Sequence, residues 1–147
     1  RNVGPAAVLV EDDAAGNGRI TGAVLGEFTY AVRTSRGRVI TAGWLPAIQA
    51  PELPHTRTFD WSTDVFALGV TLLSVCFYGD VTRARRVAET LERPTVVPTA
   101  LWTGVIAPCL AAAPEGRTPA ASLGKAAKRL AEGEGARGVV PLPGDAV

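Results

Sequence analysis

The fold is decided by GWLPAIQAPEL at residues 43–53 and FDWSTDVFALGVTLLSV at residues 59–75. In the second stretch, apolar residues occupy nearly every side of a helix, which is typical of a helix buried in the middle of a domain. Ser62 or Thr63 is suited to cap the first turn, and Gly79 is suited to end the helix. We therefore predict a central buried helix over residues 62–78.

Three further amphipathic helices are predicted after the central one, over residues 81–92, 100–112 and 119–131. Prolines lie in the stretches between these helices. They indicate helix boundaries, because proline lacks the backbone N–H that a helix interior needs. Glycine and proline are also frequent in residues 133–147. We predict that this last stretch is a tail or linker.

The first 41 residues contain short β-type runs separated by turn signals. Residues 8–10 and 19–21 flank AAGNG, and residues 28–32 and 38–41 flank TSRG. We predict two successive hairpins here. The expected fold class is thus mainly α, a bundle around the central helix with short β-hairpins in its N-terminal part.

The overall composition is that of one soluble globular domain. The 147 residues are 47% hydrophobic and 20% charged, with a formal net charge of +1. This charge gives no general attraction to nucleic acid, and no apolar run reaches the roughly 18 residues that a membrane span needs. We therefore expect no nucleic-acid partner and no membrane span within this chain.

Residue usage also suggests the source and the compartment. Cys76 and Cys109 lie in apolar runs without further ligands at metal-binding spacing, so we expect buried free thiols, no metal site and a cytoplasmic location. Only two of the 15 basic residues are lysines, a usage typical of GC-rich bacteria. The chain starts at Arg1 without a methionine, and we expect it to be a piece of a longer protein.

Three motifs in a fixed order resemble the second half of a protein kinase. They are Ala50-Pro51-Glu52, the helical Asp-x-x-x-Leu-Gly pattern of residues 64–69, and Ala-Pro-Glu-Gly-Arg-Thr-Pro at residues 113–119. The resemblance is to the C-terminal lobe of bacterial Ser/Thr-kinase-like proteins, and it covers residues 1–132. It implies a catalytic-loop remnant at 1–10 and an activation segment at 24–52.

The resemblance also assigns structural roles. It implies an ion pair between Glu52 and Arg117, which would fix the activation segment to the helical core. It further implies that Asp64 accepts hydrogen bonds from the backbone around Arg1 and Asn2. Such bonds would offset the cost of placing a carboxylate in an apolar helix.

The groups that would perform phosphoryl transfer are missing from the matching positions. Asn2 stands at the position of the catalytic base, and its neutral amide cannot accept a proton near pH 7. Gly4 replaces the lysine, while Ala7 and Val24 replace the two magnesium ligands. We therefore expect the chain to bind no cofactor. ATP and magnesium would be its cofactors only if the chain were an active kinase.

Three functions follow from these observations. The first is a pseudokinase, a catalytically inactive kinase-like domain that binds or regulates a protein. The second is half of an active or weakly active Ser/Thr protein kinase that transfers phosphate from ATP. The third is an unrelated helical interaction domain. In the first two, an N-lobe upstream of Arg1 would complete the domain.

A protein partner would be expected on the activation-segment face. The residues proposed for this candidate surface are Thr34, Ser35, Arg36 and Trp44. Arg83, Arg85 and Arg86 form a small basic face on the helix predicted over 81–92. We interpret that face as solvated rather than as a site for phosphate or an acidic peptide, because no aromatic residues are interleaved.

Overall fold

The structure is a computed structural model, described here for residues 3–12, 20–26, 39–40 and 46–134. It is mainly helical, as the sequence predicts. The helices are α1 (Leu53–Thr56), α2 (Trp61–Cys76), α3 (Val81–Thr90), α4 (Thr99–Leu101), α5 (Ala107–Cys109) and α6 (Ala120–Glu134). A π-helical stretch, Trp102–Ile106, joins α4 to α5, and short 3-10 turns lie at Pro5–Ala7, Pro46–Ile48 and Pro114–Gly116.

Strands β1 (Val8–Asp12) and β2 (Ile20–Leu25) pair antiparallel, where the first hairpin is predicted. A second pair joins β3 (Val39–Ile40) to β4 (Thr58–Phe59). The partner expected for the 38–41 strand, residues 28–32, lies outside the described residues. Among the described residues, β3 pairs with the short stretch before α2, a long-range pairing that turn signals cannot indicate.

The central helix α2 begins one residue earlier than predicted, and its cap is Asp60. The carboxylate of Asp60 accepts a hydrogen bond from the Ser62 N–H at 2.8 Å, while the Asp60 N–H donates to the Thr63 hydroxyl at 3.2 Å. This capping box satisfies donors that a helix N-terminus otherwise leaves unpaired. The prediction of Ser62 or Thr63 as the cap is therefore wrong by two or three residues.

The helix ends at Cys76, two residues before the predicted end. Tyr78 and Gly79 both have positive φ, 54° and 90°, and the Gly79 N–H donates to the Ser74 carbonyl at 2.8 Å. This left-handed turn closes the helix, as glycine commonly does at a C-terminus. The predicted role of Gly79 as the stop is confirmed.

The core is built around α2, whose Val70 and Leu73 are fully buried. Gly69 lets α5 approach closely, because a Cβ atom at this position would lie 2.7 Å from both Cys109 and Leu110 side-chain atoms. Such a distance is well inside van der Waals contact. The middle of α2 is therefore in direct contact with the helix that follows the π-helical stretch.

The boundaries of the later helices differ from the predicted ones by up to three residues. α3 ends at Thr90 because Leu91 is left-handed, with a φ of 55°. The helical stretch predicted over 100–112 stops at Cys109, and the carbonyls of Ala111 and Ala112 bind Arg117 instead. α6 runs to Glu134, so the predicted tail starts later than residue 133; residues 135–147 lie outside the described part.

Candidate functional site

The most elaborate polar cluster among the described residues surrounds the guanidinium of Arg117, whose side chain is fully buried. Its Nη1 and Nη2 donate to Glu52 Oε1 and Oε2, each at 2.7 Å. Nε donates to the Ala111 carbonyl at 2.8 Å, and the two Nη atoms also reach the carbonyls of Ser62 and Ala112 at 3.1 Å. All five N–H donors of the guanidinium thus have acceptors.

This cluster joins three segments that are distant in sequence. Glu52 directly precedes α1, Ser62 lies in the first turn of α2, and Arg117 follows the 3-10 turn at Pro114–Gly116. The bidentate geometry fixes both the distance and the orientation of the two charged groups. The two residues that the kinase resemblance pairs are therefore in direct contact.

Phe66 of α2 contacts two guanidinium groups. The Arg117 Cζ lies 5.0 Å from the centre of its ring, and the Arg85 Cζ lies 5.5 Å from it. Both distances are within the range of cation–π attraction. Arg85 also donates from Nη1 to the Gln49 carbonyl and from Nε to Glu89 at 2.9 Å.

The interpretation of the α3 arginines as a solvated face is wrong for Arg85. Its side chain is only 24% exposed, and it binds the backbone 36 residues upstream. Arg83 packs over the Phe77 ring at 4.4 Å, while Arg86 is exposed. Periodicity places all three on one helix but does not reveal the Gln49 carbonyl opposite Arg85.

The N-terminal segment before β1 is attached to α2 through Thr71. The hydroxyl of this buried residue donates to the Val3 carbonyl at 2.6 Å. Asp64, the residue expected to hold the loop, lies in the first turn of α2 and is half-buried. Its expected partners, Arg1 and Asn2, lie outside the described residues.

At the described positions that the kinase resemblance assigns to catalysis, Gly4, Ala7 and Val24, the side chains offer no polar atom. Ala7 is only 1% exposed, and its carbonyl accepts a hydrogen bond from the Gly26 N–H at 2.7 Å. A Cβ atom at Gly4 would lie 3.3 Å from Ile48 Cδ1, so a side chain at this position would contact the apolar Ile48 side chain. Val24 is half exposed on β2.

The candidate partner surface, Thr34, Ser35, Arg36 and Trp44, lies outside the described residues.

The β1–β2 hairpin exposes apolar side chains on both of its faces. Leu9 opposite Val24 is on one face, and Val10 is on the other. Sequence alternation alone does not distinguish such a hairpin from one whose apolar face is buried.

The two cysteines are free thiols that are protonated at neutral pH. Burial raises the pKa of Cys109 to about 12, and the Cys109 thiol donates to the Val105 carbonyl. Burial likewise raises the pKa of Cys76, which is half-buried. Because the thiolate is the nucleophilic form, neither residue is prepared for covalent catalysis.

Within the described part of the chain, no helix is both long enough and apolar enough to cross a membrane. His, Cys, Asp and Glu side chains of that part also form no group of three that could hold a metal ion. In comparisons with known proteins, no family model matches the sequence, and no curated protein is significantly similar to it.

Proposed function

We propose that the chain is the C-terminal lobe of a pseudokinase, a kinase-like domain that binds or regulates a protein and transfers no phosphate. One observation carries the proposal. Glu52 and Arg117, to which the kinase resemblance assigns a structural role, form a bidentate ion pair. Arg117 also donates to the Ser62 carbonyl in the first turn of α2. The ion pair also favours the kinase-like domain over an unrelated helical domain, because only the kinase resemblance predicts that these two residues meet.

The positions assigned to chemistry support the inactive form of the fold. A magnesium ligand must offer an oxygen atom to the metal, and Ala7 offers only a buried methyl group. Val24 likewise has no oxygen in its side chain, and Gly4 has no side chain to hold positive charge near a phosphate. A scaffold with these substitutions retains surfaces for binding but lacks groups for transfer.

The decisive experiment is a phosphoryl-transfer assay with labelled ATP and magnesium, using the chain together with any upstream segment of the natural protein. We expect no transfer to the protein itself or to generic acceptor proteins. The matched variants are Asn2→Ala, at the base position, and Asn17→Ala, in a predicted turn. Transfer that is lost in Asn2→Ala but kept in Asn17→Ala would refute the proposal and favour an active kinase.

Binding to a protein partner is tested by affinity capture from the source cell with two tryptophan variants. We expect a specific partner to be retained by the wild type and by Trp61→Ala, and lost with Trp44→Ala. Trp61 is a suitable control because it is 51% exposed at the start of α2, away from the predicted surface in sequence. If no captured protein depends on Trp44, the assignment of the partner surface is wrong.

A further inference from the structure

The stretch from Pro46 to Glu52 is held by two arginines that belong to different elements. Arg85 of α3 binds the Gln49 carbonyl through Nη1, and Arg117 binds the Glu52 carboxylate. The two points of attachment are three residues apart in sequence. Between them, Ala50 is completely buried, so the stretch is also fixed by packing.

The two arginines share one aromatic ring and have separate counter-ions. Both guanidinium carbons lie within 6 Å of the Phe66 ring centre, so like charges are brought near each other. Glu52 neutralises Arg117, and Glu89, one turn along α3, neutralises Arg85. Each guanidinium therefore contacts the same ring and has a carboxylate of its own.

The two halves of this arrangement differ in their access to water. The Arg117 side chain is 0% exposed, whereas Arg85 is 24% and Glu89 59% exposed. Dissolved ions screen exposed pairs strongly and buried pairs weakly. Within the described residues, Nη2 of Arg85 has no hydrogen-bond partner, so this guanidinium has a donor available for an incoming anion.

We propose that Arg85 is a releasable latch on residues 46–50, opened by salt or by an anionic group that competes for its guanidinium, while the Arg117 anchor on Glu52 stays closed. The latch controls the described end of the predicted activation segment. It does not depend on whether the chain transfers phosphate, so it goes beyond the proposed function and can fail separately from it.

Amide hydrogen exchange on the full chain tests the latch. We expect Arg85→Gln to raise exchange of the residue 47–50 amides about tenfold, the effect of losing one charge-assisted hydrogen bond. Exchange of the 52–56 amides, next to the Arg117 anchor, should change less than about twofold. Arg86→Gln is the matched control, because this exposed arginine is the next residue on α3.

Wild-type protein provides a second measurement that needs no variant. We expect an increase of sodium chloride from about 0.05 to 0.5 M to accelerate exchange at 47–50 about threefold and to leave 52–56 unchanged. Equal changes in both segments, a uniform increase over the whole chain, or no response to either perturbation would each overturn the latch.

Discussion

The Arg117 cluster predicts a large loss of stability for the conservative change Glu52→Gln. The variant keeps the shape of the side chain but removes its charge and one of the two oxygens that lie 2.7 Å from the guanidinium. Breaking a buried ion pair from one side costs about 3–5 kcal/mol. Here the cost is lower, about 2–3 kcal/mol, because Glu52 is 16% exposed and three backbone carbonyls still bind the guanidinium.

Urea unfolding monitored by tryptophan fluorescence measures this loss, since Trp102 is buried in the core. With a denaturant slope of about 2 kcal/mol/M, the midpoint should fall by about 1–1.5 M. The matched control is Glu115→Gln, an exposed glutamate in the turn before Arg117, which should stay within about 0.5 kcal/mol of wild type. A loss below about 0.5 kcal/mol for Glu52→Gln would refute the view that the buried pair holds the 46–52 stretch.

Three further predictions concern α2 and the buried thiol. Gly69→Ala should destabilise the chain by about 1–3 kcal/mol in thermal unfolding, because the new methyl group would overlap Cys109 and Leu110. Gly124→Ala should instead stabilise it by about 0.5–1 kcal/mol, because a Cβ atom there has no neighbouring atom within 4 Å. Thr71→Val should lower the free energy of unfolding in urea by about 1–3 kcal/mol, because the Val3 carbonyl loses its hydroxyl donor. An unchanged midpoint would show that this hydrogen bond contributes nothing to stability. The pKa of Cys109 is raised from 9.0 in the unfolded chain to about 12, because burial disfavours the thiolate. The contribution of this thiol to the free energy of unfolding is therefore complete below pH 9 and is lost as pH rises from 9 towards 12. Accordingly, the urea midpoint should fall more steeply above pH 9 in wild type than in Cys109→Ala; parallel slopes would contradict the assignment.

The helices are the part of the fold that local sequence patterns predict well. An apolar pattern on all sides of residues 62–78 correctly indicates a buried helix at the centre, because burial on every side leaves no polar face. The exact start is missed, since Asp60, Ser62 and Thr63 are all good caps. The choice between them depends on the extended backbone of Asp60, with a φ of −142°.

The candidate site is less accessible to such reasoning. A family resemblance predicts the pairing of Glu52 with Arg117, whereas their spacing of 65 residues does not. The sequence does not indicate that Thr71 binds the N-terminal segment, because no local pattern shows which distant carbonyl a threonine in an apolar helix will bind. For the same reason, the sequence pattern indicates a solvated Arg85 and does not reveal its contact with the Gln49 carbonyl.

By itself, the sequence determines the mainly helical fold, the central position of α2 and the absence of polar side-chain atoms at Gly4, Ala7 and Val24. These properties depend on residue identity and on periods of a few residues. Tertiary structure alone decides which polar groups meet, joining residues 65, 36 and 68 positions apart in the contacts of Arg117, Arg85 and Thr71. The physical reason is that a buried donor must find an acceptor wherever the packed backbone places one, and local spacing does not encode that place.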